Sequence, residues 1–148
     1  MSHTYTDVLL HIVFSTKERR RFSSDKMERL RAYLGGIAKK NRAELMAVGG
    51  TEDHVHMLIA VPTTMTIAKF VQLSKGGASK WFNDTFSDER FAWQEGFAVF
   101  SVSRSHADSV VDYIRSQSEH HARRDFASEY QALLRKHAIA FDPKYVLG

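Results

Sequence analysis

The chain has 148 residues and no cysteine; 43% are hydrophobic and 26% charged, the net charge is +4 and the pI is about 9.4. This composition suits one compact domain spanning 1–148 that can bury a core. It excludes disulfides, thiolate metal sites and cysteine nucleophiles. No run of about 18 apolar residues is present, so no transmembrane helix is expected. The start carries no basic-then-apolar leader, which gives the cytoplasm as the expected location. The modestly basic balance permits a nucleic-acid partner without requiring one.

Residues 5–15 are β-branched and apolar, and predict a first buried strand. His11 interrupts this run, and reads equally as a sheet-face histidine with a satisfied hydrogen bond or as part of a site. A basic loop follows from Lys17 through Arg19, Arg20 and Arg21. Ser23 or Ser24 can cap a helix over 25–40, whose apolar positions Met27, Leu30, Leu34, Ile37 and Ala38 recur at helical spacing. Residues 44–49 predict a second strand. Gly49-Gly50 reads as the turn into a third strand within 51–61, making an antiparallel hairpin. Thr66 can cap a second long helix with Phe70, Val71, Ala78 and Phe82 on its apolar face. Gly76-Gly77 inside that pattern costs roughly 2 kcal/mol relative to alanine, so either the helix bends there or something approaches its backbone closely. Residues 83–96 read as a polar loop and 97–103 as a fourth strand. Ser105 can cap a third helix extending to about Arg124, and 126–137 form a further amphipathic stretch before an irregular tail. The order β-α-β-β-α-β predicts an α+β, ferredoxin-like (split β-α-β, RRM-like) antiparallel sheet with helices on one face and an additional C-terminal helix. Common RNA-binding modules share this layout, so the fold alone does not choose a function.

The third strand contains His54 and His56. Residues two apart in a strand share a face, so both imidazoles project together while Val55 points away. In the third helix, Tyr113 and Gln117 are four residues apart, on one face and about 6 Å apart along the axis. His120 and His121 fall near the same face. Two imidazoles and an amide oxygen leave open positions on a divalent cation, as a Lewis-acid site requires. The mixed N/O set favours Mg²⁺ or Mn²⁺, although histidine also suits Zn²⁺. A tyrosine beside such a cation can attack phosphorus and divide one transesterification into two steps. Each piece alone is weak: the histidine pair also reads as incidental, the tyrosine as core, and glutamine is a minor ligand type.

Asp53-His54-Val55-His56-Met57-Leu58-Ile59 resembles the HUH motif of HUH nucleases. Tyr113-Ile114-Arg115-Ser116-Gln117 resembles the catalytic segment of the single-tyrosine transposases of the insertion-sequence 200/605 group. Residues 11–17, 73–81 and 91–103 resemble that family's first strand, its Lys-Gly-x-x-Ser-Lys-Trp helix and its last core strand, in the same order. The resemblance implies a homodimer with joined sheets, acting on single-stranded DNA at hairpin-bearing element ends, with no nucleotide cofactor. It implies Tyr113 as the nucleophile of a 5′-phosphotyrosine link and His54, His56 and Gln117 as ligands of Mg²⁺ or Mn²⁺. DNA phosphates are expected to meet Lys17, Arg19, Arg20, Lys75 and Lys80. Two positions depart from the family pattern: Ser116 stands where Asn is usual, and Gly77 where Arg is frequent. The competing readings are a domesticated relative acting on chromosomal hairpin repeats, and a non-enzymatic nucleic-acid-binding module on the same fold.

Overall fold

The structure, a computed structural model, describes residues 3–118 and 124–147. Glu119, His120 and His121 lie outside the described residues. Four strands form one antiparallel sheet: β1 (Leu9–Ser15), β2 (Glu44–Gly50), β3 (His54–Ala60) and β4 (Ala98–Val102), in the order β2-β3-β1-β4. This is the ferredoxin-like α+β arrangement expected. The helices whose bounds lie among the described residues include α1 (Ser24–Lys40), α2 (Ile67–Thr85), α3 (Ala107–Arg115) and α4 (Phe126–Lys136).

Strand periodicity sorts the side chains onto two faces. Leu10, Ile12 and Phe14 of β1 and Val55, Met57 and Ile59 of β3 join Met27, Leu30 and Leu34 of α1 and Phe70, Ala78 and Phe82 of α2 in the main core. The opposite face carries Leu9, Val13 and Leu58, and is covered by Ala107 and Ile114 of α3 and by Phe126, Tyr130 and Leu134 of α4. Every residue of β1 is therefore buried. Ser23 caps α1, its hydroxyl accepting from the Lys26 amide, and Thr66 caps α2 in the same way through Lys69. The α2 helix runs through Gly76-Gly77 as one element. A methyl on Gly77 would lie 2.9 Å from Ile37 Cδ1, so the close approach is that of α1.

Several boundaries differ from the sequence expectation. The first strand begins at Leu9 and not at residue 5, with Tyr5 and Val8 exposed, and α2 runs on to Thr85 into the expected loop. The hairpin reverses at residues 51–53, not at Gly49-Gly50, whose two glycines pair with His56 and Val55 inside the ladder. The third helix is interrupted at Ser116, its C-cap after Arg115, and residues 117 and 118 are helical again; residues 119–123 of the stretch expected to reach Arg124 lie outside the described residues. At the interruption the Asp112 carbonyl accepts both the Ser116 amide, at 3.1 Å, and the Ser116 hydroxyl, at 2.7 Å, a pairing that bends helices. Finally, the 83–96 segment is packed, with Phe91 and Gln94 buried and the Gln94 side-chain oxygen accepting from the Ser15 amide at 2.6 Å.

Gly49 seats the third helix. A Cβ at this position would lie 2.2 Å from the Ile114 carbonyl oxygen, so only a bare backbone lets α3 come this close to β2. That contact fixes where Tyr113 and Gln117 stand relative to the histidine strand.

Candidate active site

His54 and His56 are fully buried and project from β3 towards α3 and α4. Each has its Nδ1 held. The His54 Nδ1 donates to Asp53 Oδ1 at 2.8 Å and lies 3.1 Å from the Thr51 hydroxyl. The His56 Nδ1 lies 2.8 Å from Nε2 of His11, which reaches it diagonally from β1. With both Nδ1 atoms engaged, each imidazole turns its Nε2 into the same space. Ligand histidines held through their second nitrogen are the usual arrangement around a protein-bound cation.

Two oxygens meet these nitrogens. Gln117 Oε1 lies 2.9 Å from His54 Nε2, and Gln117 is itself buried. Glu129 Oε1, from α4, lies 3.0 Å from His56 Nε2 and 3.6 Å from His54 Nε2. Among the described residues, His54, His56 and Glu129 offer ligand atoms all within 4.8 Å of one another. The donors are imidazole nitrogens and hard oxygens, which suits a divalent cation of the Mg²⁺ and Mn²⁺ type. Phe126 stacks on His54 with ring centroids 4.4 Å apart and closes the apolar side.

Tyr113 is half-buried, its ring 5.7 Å from that of His56, and its hydroxyl donates a short hydrogen bond to Glu129 Oε2. Burial first, and then the Glu129 carboxylate, push the phenol well above its ordinary pKa. Tyr113 and His11 border a cavity of about 590 Å³ that also touches Phe100, Lys136 and His137. A larger cleft of about 1140 Å³ opens on the other side, past Asp53, Ile114 and Ser118. Tyr113, His54, His56 and Gln117 thus converge within one chain.

Glu129 was not legible as a site residue. On a short amphipathic helix an acidic residue reads as solvated, and nothing in its neighbours marks it as buried. The five expected DNA contacts lie elsewhere. Lys17 and Arg19 border a cavity of about 640 Å³ beside Trp93. Arg20 donates to the Arg90 carbonyl at 2.7 Å. The Lys75 ammonium holds the Gln94 and Gly96 carbonyls at 2.9 and 2.6 Å, and burial lowers its pKa. Lys80 is exposed and pairs with Asp84 at 2.9 Å.

The profile of the family "Transposase IS200 like" matches residues 4–117. The chain belongs to this family. Transposases for insertion sequence element IS200 from Salmonella typhimurium and Salmonella typhi are each 29% identical to it over 126 residues, covering 80% of this chain and 82% of theirs. A solved structure described as a candidate transposase from Deinococcus radiodurans R1 superposes with a TM-score of 0.63 at 24% identity, over 79% of this chain and 96% of that one. A REP-associated tyrosine transposase bound to a REP hairpin superposes with a TM-score of 0.54 at 18% identity, over 77% and 70%. These two structures share the fold of this IS200-like transposase. The matched span contains the histidine pair, Tyr113 and Gln117 and stops short of α4. No described helix is long and apolar enough to cross a membrane.

Proposed function

We propose that this transposase cleaves and rejoins single-stranded DNA at hairpin-bearing element ends in the cytoplasm, with Tyr113 as nucleophile. The observation that carries the reading is the convergence of Tyr113, His54, His56 and Gln117 on one buried site. His54, His56 and Gln117 would hold the metal, Mg²⁺ or Mn²⁺. Bound there, the cation neutralises the scissile phosphate and polarises it towards attack.

The Tyr113 oxygen attacks phosphorus and loses its proton. The bond from phosphorus to the 3′ oxygen breaks, and that oxygen leaves as a 3′-hydroxyl. The 5′-phosphate stays on Tyr113. A 3′-hydroxyl later attacks this phosphotyrosine, the tyrosine oxygen leaves, and a phosphodiester is restored. The number of phosphoester bonds is unchanged, so no nucleotide cofactor is required. A structural neighbour bound to a REP hairpin supports hairpin DNA as the partner. Lys17, Arg19, Arg20, Lys75 and Lys80 supply candidate phosphate contacts, and a homodimer with joined sheets is the expected assembly.

The test is incubation with single-stranded element ends and Mn²⁺, followed by a denaturing gel. Wild type should give a covalent protein–DNA band that EDTA abolishes. Tyr113→Phe should give none while still binding the hairpin. An adduct formed by Tyr113→Phe would remove Tyr113 from its role, and full cleavage in EDTA would remove the metal.

A further inference from the structure

We propose that Glu129 is a protein ligand of this metal centre and that the same carboxylate holds the nucleophile beside it. The inference rests on the reading above and deepens it. Glu129 is 3% exposed, a depth at which carboxylates are found paired or bound to a metal. Its Oε1 stands 3.0 Å from His56 Nε2 and 3.6 Å from His54 Nε2. The Nδ1 atoms of both histidines are already committed, to Asp53 and towards His11. Both Nε2 atoms therefore face one carboxylate oxygen, so that the three groups present their ligand atoms within 4.8 Å of one another, close enough to share one cation. Gln117 Oε1 adds a fourth donor, 2.9 Å from His54 Nε2.

The other oxygen of Glu129 accepts from the Tyr113 hydroxyl. One carboxylate thus touches both the ligand nitrogens and the attacking oxygen, fixing the hydroxyl next to the cation. The helix that carries it is well seated. Asp125 caps α4, its side chain accepting from the Ser128 amide at 2.9 Å. Phe126, three residues before Glu129 and on the same helix face, stacks on His54. Tyr130 and Leu134 are buried against Val13, Ala98 and Phe100. The α4 helix itself lies outside the span that the family profile matches. A carboxylate also adds a negative hard donor to the set, which strengthens the preference for Mg²⁺ or Mn²⁺.

The experiment is Mn²⁺ titration of the full chain without DNA, read by calorimetry and by loss of the free-ion EPR signal. Glu129→Gln and Glu129→Ala should each weaken Mn²⁺ binding about tenfold or more, the least that losing even an outer partner of a ligand costs. Hairpin binding and the melting profile of Glu129→Gln should stay near wild type. Glu129→Gln keeps the volume and one acceptor oxygen while removing the charge, so it decides the matter if Glu129→Ala does not fold. Wild-type Mn²⁺ affinity in Glu129→Gln overturns the proposal. His56→Ala separates the two readings. If it loses Mn²⁺ while Glu129→Gln keeps it, only the Glu129 assignment falls. If His56→Ala binds Mn²⁺ like wild type, the metal centre and Glu129's place in it fall together.

Discussion

His11 shows what a single buried side chain does at this site. Burial, reinforced by the adjacent His56, holds its pKa down from 6.5 to about 3. The unfolded chain takes up a proton at 6.5 and the folded chain does not, so the unfolded state binds more protons on the acid side. The stability associated with His11 is complete above pH 6.5 and is lost as pH falls from there towards 3. For metal-free protein, the unfolding free energy should therefore drop between pH 6.5 and 5, by up to about 1.4 kcal/mol per pH unit. Urea denaturation at several pH values measures this, and an unchanged slope in His11→Gln would assign the drop elsewhere. The sequence showed His54 and His56 because a period of two is a property of the strand itself. It left His11 open between two roles, because the diagonal contact from β1 to His56 depends on strand register. Glu129 stayed hidden for a related reason: its burial is set by α4 docking on the far face, which no local pattern records.

At the scale of elements, the site is an agreement between β3, α3 and α4, and Gly49 is where that agreement is most exposed to a small change. Gly49→Ala would drive a methyl into the Ile114 carbonyl and displace α3. The expected loss is about 1–3 kcal/mol of stability, measured by urea denaturation, with a larger proportional loss of covalent adduct on the gel. Wild-type stability and adduct yield in this variant would mean that α3 has room to shift without consequence. The strands, both long helices and their caps were readable from apolar spacing and from Ser23 and Thr66. The interruption of α3 at Ser116 was not, because the apolar pattern stays amphipathic through it and a serine in that pattern marks no break. Nor was the hairpin turn: Gly49-Gly50 looks like a reversal, whereas these glycines serve a neighbouring helix and an extended ladder.

For the molecule as a whole, the central question is which chain supplies the tyrosine to which histidines. Within one chain, the Tyr113 ring already stands 5.7 Å from that of His56. If a homodimer works in this arrangement, each subunit uses its own tyrosine. Mixing Tyr113→Phe with His56→Ala protein should then restore no adduct, since every site lacks one component. A covalent band from the mixture would show that the tyrosine helix crosses to the partner. The same architecture bears on nucleic-acid recognition. Modules of this strand order commonly use the open sheet face as a reading platform, stacking bases on its aromatic side chains. Here that platform is roofed over. Its central strands carry imidazoles in place of stacking rings, and α3 and α4 lie on top. Bases find no open platform on this face of the sheet, so on the proposed function a DNA strand would be left with the sheet edges and the cleft bordering Tyr113, where its backbone would be presented before its letters.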